Sequence, residues 1–219
     1  VRQTIFALPP MPAAAVRILK TKLQRDNNQM RSTLFRVPIL STLLAYVAAG
    51  LLCGLGWQVV GSLPAQRKYV LIGAPHTSNW DFPLMLLAVL KIRMHVHWLG
   101  KRSLFAGPFS GFMQWLGGIP VDRSKSTNLV EQLVAAFRTR AELVVLIPPE
   151  GTRAKVEKWK SGFYYVAAGA GVPILLGFVD CSRKQLGFGP LFYPSGDYAS
   201  DLVEIQKFYA DKVGLRSRR

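Results

Sequence analysis

The chain has 219 residues with 28 Lys and Arg against 12 Asp and Glu, a formal net charge of +16, which calls for an anionic partner: nucleic acid or an anionic membrane surface. Hydrophobic residues make up 50% of it, the mean hydropathy is +0.20, and no zinc-finger cysteine pair, RNP-type aromatic signature or basic heptad region accompanies the charge. That balance excludes the common nucleic-acid modules and favours lipid, which accounts for charge and apolar content together. The length allows one domain with a real core plus an appendage.

The chain opens on a basic arm in which Arg17, Lys20, Lys22, Arg25, Arg31 and Arg36 outweigh Asp26. Val37 to Gln66 carries no charge, and Ile39 to Leu55 is apolar enough to count as a short transmembrane candidate, with a buried core helix as the alternative. Residues 1–56 are expected to form a basic arm and an apolar membrane-anchoring helix, 57–214 a folded domain and 215–219 a basic tail.

Tyr69 to Ala74 reads as a short buried strand ended by Pro75, and Trp80 to Lys91 as a helix. His76 and Asp81 lie between strand and helix, in the order His76-Thr77-Ser78-Asn79-Trp80-Asp81. Residues five apart on a regular helix point about 140° from each other, so the two can meet only across a turn, with His76 past the strand and Asp81 in the first helical turn. Histidine titrates near neutral pH and suits removal of a proton from a hydroxyl. An aspartate accepting from its ring fixes the tautomer and stabilises the imidazolium. The same residues also read as a helix start, because Ser78-x-x-Asp81 resembles a capping box.

His95 and His97 alternate with Met94, Val96 and Trp98, so on a strand they share one side and invite a metal. A zinc site needs further ligands, with only Cys53 and Cys181 as soft ones, and packing against a helix is the preferred reading. Two cysteines in dissimilar contexts fit a reducing compartment. Next comes a stretch rich in Gly and Pro, Lys101 to Pro108 and on to Gly117-Gly118-Ile119-Pro120-Val121-Asp122-Arg123. Lys101 and Arg123 bracket it and can bring two cations to one phosphate, or serve as ordinary surface charges.

Asn128 to Arg138 reads as a helix, and Leu143 to Ile147 as a central strand stopped by Pro148-Pro149. Glu150-Gly151-Thr152-Arg153 follows at the strand end, where open α/β sheets place ligands; Arg153 can fork onto a phosphate there, or pair with Glu150 on an exposed turn. Ser161 to Ala170 is expected as a helix, Val172 to Val179 as a strand, and Asp201 to Val213 as an amphipathic helix with Leu202, Ile205, Phe208 and Tyr209 on its apolar face. Arg216 to Arg219 is expected as a disordered basic tail.

Together these blocks resemble those of the glycerolipid acyltransferases, the lysophosphatidic acid acyltransferase (1-acylglycerol-3-phosphate O-acyltransferase) family, over about residues 57 to 210. His76 to Asp81 matches that family's catalytic motif, Gly117 to Arg123 its second block, Pro149 to Arg153 its third and Val172-Pro173-Ile174 its fourth, here with a single proline. The resemblance implies an α/β fold, a glycerol-3-phosphate-acyltransferase-like mixed sheet flanked by helices. It implies transfer of a fatty acyl chain from acyl-CoA or acyl carrier protein to a lysophospholipid hydroxyl, most directly 1-acylglycerol 3-phosphate. It also implies His76 as general base, Asp81 as its partner, and a phosphate site of Lys101, Arg123, Glu150, Gly151, Thr152 and Arg153, with no metal and no cofactor beyond the acyl carrier.

The chain has no G-x-S-x-G elbow and no cysteine in a nucleophile motif, which fits direct attack without an acyl-enzyme. Glycerol 3-phosphate or another lyso-lipid as acceptor, a hydrolase in which His76 activates water, and a non-enzymatic basic membrane adaptor are the alternatives. A single span would leave the basic arm in the cytoplasm and send the catalytic domain outside, away from cytoplasmic donors. A monotopic or hairpin-like anchor at the cytoplasmic face of the inner or plasma membrane is therefore the expectation.

Overall fold

The computed structural model describes residues 33, 37–121, 126–152 and 158–216. Except for Thr33, the basic arm ahead of Val37 lies outside these residues, as do Asp122, Arg123 and Arg153.

The apolar runs expected as strands pair at the centre of a seven-stranded sheet of order β1-β7-β6-β2-β5-β3-β4. In chain order the strands are β1 (Gln58–Val60), β2 (Lys68–Ala74), β3 (His97–Lys101), β4 (Gly118–Val121), β5 (Leu143–Ile147), β6 (Ile174–Asp180) and β7 (Gln185–Phe192). β2, β3, β4, β5 and β6 are mutually parallel, with Val70 opposite Val145 on one side and Ile174 on the other. β7 turns back, antiparallel to β6, and β1, parallel to β7 at the edge, runs with it against the other five. Strands covered on both faces need apolar side chains on both, which is why Leu143 to Leu146 is an unbroken buried run.

The helices are α1 (Pro38–Gly54), α2 (Asp81–Lys91), α3 (Ser110–Trp115), α4 (Ser126–Thr139), α5 (Gly162–Ala170) and α6 (Tyr198–Tyr209). Period-two alternation along β2 divides the core. Val70, Ile72 and Ala74 pack with Phe137 of α4, Phe163 of α5 and Ile205 of α6. Tyr69 and Leu71 face the other way, toward Ala48 of α1, Val89 of α2 and, from α3, Met113. Six of the helical and strand expectations fall within two residues of the observed ends; others are corrected.

The stretch from Lys101 to Arg123, rich in Gly and Pro, contains the end of β3, a 3-10 turn at Arg102–Phe105, α3 and β4. Its Gly and Pro content hid a strand because β4 is an edge strand, where Pro120 interrupts no ladder to a further neighbour. Trp98 ties the segment down: its ring N–H donates to the Leu116 carbonyl at 2.9 Å and its backbone N–H to Gly117 at 3.0 Å.

The last helix starts three residues early and ends at Tyr209, not Val213. Asp197 is its cap, accepting the N–H groups of Ala199 and Ser200. Asp201, expected at the start, is instead a buried carboxylate that accepts from Ser195 and from the Tyr164 hydroxyl. Val213 leaves the helix to accept the Cys181 N–H at 2.8 Å, and Leu215 packs among Leu84, Ala88 and Leu186. The chain at 215 and 216 is therefore part of the fold, contrary to the expected tail; residues 217–219 lie outside the described ones.

The expected boundary at 56/57 is no gap in packing, since Ala48 and Leu52 of α1 are buried against the rest of the chain. α1 has 17 residues, about 26 Å of helix against about 30 Å of hydrocarbon. Among the described residues no helix is long and apolar enough to cross a membrane.

Candidate active site

Five parallel strands end on one edge of the sheet, and every described residue of the expected site follows one of those ends. β2 runs out at Ala74 and the chain passes through the cis Ala74–Pro75 bond to His76; α2 then begins at Asp81. The turn brings the two side chains together, with His76 Nδ1 2.9 Å from Asp81 Oδ2. The same oxygen accepts the backbone N–H groups of Thr77 at 2.7 Å and Ser78 at 2.8 Å. Three donors on one short, largely buried carboxylate leave it little rotational freedom. Asp81 Oδ1, also buried, meets no hydrogen-bond donor among the described residues.

The capping and catalytic readings of Ser78-x-x-Asp81 thus describe one object. Asp81 reaches back to the Ser78 N–H as a capping-box acid does, and the Ser78 hydroxyl accepts from Trp80 N–H. Because Nδ1 of His76 gives its proton to the carboxylate, Nε2 is the basic nitrogen. The His76 side chain is 27% exposed and Asp81 9%, so the imidazole is reachable and its partner is shielded.

Glu150 sits at the end of β5 and is 2% exposed. Its Oε2 accepts the His76 backbone N–H at 3.0 Å, which joins the third block to the first. A buried side-chain acceptor in this position supports the histidine turn from the third block. Gly151 follows with φ +64°, a left-handed conformation that costs a glycine nothing. Space is as strict as conformation there: a Cβ would fall 2.8 Å from Lys160 Cδ and Cε.

Lys160 is the cation that sequence reading missed. Its stem lies across Gly151, and its backbone N–H donates to the Pro149 carbonyl at 2.8 Å. The one available signal was the run of lysines after Arg153, which spacing alone gives no reason to lay across Gly151. Thr152 is exposed, and Lys101 is exposed at the end of β3. Parallel register sets Lys101 beside Val121; Arg123 lies outside the described residues.

His95 and His97 do not share a strand, since β3 begins at His97, and no group of three or more His, Cys, Asp or Glu among the described residues can hold a metal. Both cysteines are free. Burial, then the Asp81 and Asp180 carboxylates, push the Cys181 thiol above its ordinary range, which keeps it protonated and a poor nucleophile.

The acyltransferase family model matches residues 58–175, more than half of the chain and a span that includes the histidine turn and the third block. The chain belongs to the acyltransferase family. Among solved structures this acyltransferase is similar to PlsC, the 1-acyl-sn-glycerophosphate (LPA) acyltransferase of Thermotoga maritima, with a TM-score of 0.54 and 18% identity over 92% of this chain and 90% of that one. At that identity the likeness is one of fold, a mixed seven-stranded sheet flanked by helices. No curated protein sequence matches the chain.

Proposed function

We propose that this acyltransferase moves a fatty acyl chain from acyl-CoA or acyl carrier protein to the free hydroxyl of a lysophospholipid, with 1-acylglycerol 3-phosphate as acceptor and phosphatidic acid as product. The observation that carries the reading is the His76 Nδ1 to Asp81 contact of 2.9 Å at the carboxyl edge of the sheet. His76 Nε2 takes the acceptor's proton as its oxygen attacks the thioester carbonyl, and Asp81 stabilises the imidazolium. The tetrahedral intermediate then expels the thiolate, which recovers the proton from His76. No acyl-enzyme is needed, in keeping with Cys181 held as a thiol.

The acceptor phosphate is bound by Lys101, Arg123, Thr152 and Arg153, the Gly151 backbone and, in addition, Lys160. Arginine supplies a fork and lysine a point charge with reach. Membrane contact is made by α1 at the cytoplasmic face. The large exposed hydrophobics Ile39, Leu43, Tyr46 and Leu51 lie on it, and Leu104, Phe109 and Phe112 are exposed on the same layer of the molecule. This exposed apolar surface on α1 supports a monotopic attachment.

The test is thioester-dependent acylation of a lysophospholipid panel, with glycerol 3-phosphate included, by wild type and His76→Ala, and lipid products resolved by mass. A diacyl lipid formed by wild type and lost in a folded His76→Ala supports the proposal, and the best acceptor identifies the substrate. Free fatty acid alone would mark a hydrolase, and equal inertness of both proteins would leave a membrane adaptor.

A further inference from the structure

We propose that the strap Val213–Arg216 is a positioning part of the active site, and that Thr77 is the residue through which it acts. Thr77 is 5% exposed and sits between strap and carboxylate. Its hydroxyl accepts the Arg216 backbone N–H at 3.1 Å, while its own N–H donates to Asp81 Oδ2 at 2.7 Å. Gly214 lies so close that a Cβ there would be 2.5 Å from Thr77 Cγ2 and 2.7 Å from Oγ1. A β-branched side chain cannot turn away from such a contact without leaving its rotamer.

The strap is fastened independently of the turn it holds. Val213 accepts from Cys181 just past β6. Arg183 bridges Asp180 and Asp211 at 3.1 Å each, fixing the chain two residues earlier. Leu215 packs against Leu84, one helical turn after Asp81. The strap therefore reaches both ends of the catalytic turn, Thr77 directly and the start of α2 through Leu84. Moving it displaces a donor from the carboxylate that orients His76.

The kinetic readout rests on the acyl-transfer reading, so a second readout needs no substrate: the low-field proton resonance of the His76 Nδ1–H···Asp81 bond. Thr77→Val removes the acceptor of the Arg216 N–H, Thr77→Ser keeps it, and Gly214→Ala forces strap and turn apart. The expected result is a loss in kcat of about tenfold for Thr77→Val and Gly214→Ala, the scale of one hydrogen bond, with acceptor KM unchanged. The resonance moves in both variants. Thr77→Ser restores both readouts, and Thr77→Ser combined with Gly214→Ala recovers part of the Gly214→Ala loss because the clashing methyl is gone.

If both variants lower only the melting temperature, with wild-type kcat and an unmoved resonance, the strap is merely structural and the proposal is overturned. If wild type acylates nothing, the resonance alone decides: movement in the two variants upholds the strap while the acyl-transfer reading falls, and an unmoved resonance overturns the strap as well.

Discussion

The histidine turn and the loops proposed to bind phosphate stand on the same edge of the same sheet but are built from opposite kinds of side chain. The turn uses compact groups, His76, Thr77, Ser78 and Asp81, locked by three donors on one oxygen of a shielded carboxylate. The loops use long cations on exposed chain, Lys101 and Lys160 among the described residues. Proton transfer demands a fixed approach, and small packed groups supply it at little entropic cost. A phosphate presented from a lipid surface needs charge and reach, which long side chains supply with looser geometry. The turn should therefore govern kcat and the loops KM.

The strongest way to break this division is Asp81→Asn, which leaves the donors in place and misaligns the imidazole. We expect kcat to fall by about 10²–10⁴-fold, the range of general-base contributions, with acceptor KM unchanged; a raised KM and normal kcat would move Asp81 to the binding side. Next is Glu150. Glu150→Ala removes the acceptor of the His76 N–H and should lower kcat about tenfold, while Glu150→Gln keeps a carbonyl oxygen there and should retain most activity in the same steady-state assay.

A smaller change is expected from the loops: Lys160→Met should raise the acceptor KM about threefold to tenfold with kcat kept, and added salt should shrink the difference. A fall in kcat instead would make Lys160 part of the turn.

Asp201 provides the control with the smallest effect on catalysis. Like Asp81 it is a buried carboxylate with several donors, but it lies in the α5–α6 corner. Burial pushes its carboxyl up, yet the donors Ser195 and Tyr164 outweigh burial and hold it below the ordinary range. A depressed carboxyl stabilises the fold above its unfolded pKa and loses that contribution as pH falls through the folded value. Asp201→Asn should lower the melting temperature near pH 7, by about 1–3 kcal/mol of stability, flatten the acid limb of the stability curve and leave kcat alone.

Much of this edge was legible in the sequence, because the relevant information is local. Pro75 and Pro148-Pro149 mark where strands stop, and a four-residue spacer that cannot face its ends on a helix has to be a turn. β5 was legible to the residue, since continuous burial leaves a continuous apolar run. What stayed hidden depends on residues far apart in the chain. Arg216 meets Thr77 across 139 positions and Glu150 meets His76 across 74, and neither contact leaves a spacing to read. Lys160 was hidden for the same reason, and β4 because an edge strand tolerates the glycine and proline that mark loops elsewhere.

The most direct test of the account is steady-state kinetics of wild type and His76→Ala on 1-acylglycerol 3-phosphate, counting thioester consumed and diacyl product formed in the same reaction. The account predicts equal amounts of the two in wild type, and a kcat at least about 10²-fold lower at similar acceptor KM in a His76→Ala protein with an unchanged melting temperature. A His76→Ala enzyme that keeps wild-type kcat, or wild type consuming thioester without forming the diacyl lipid, would contradict it.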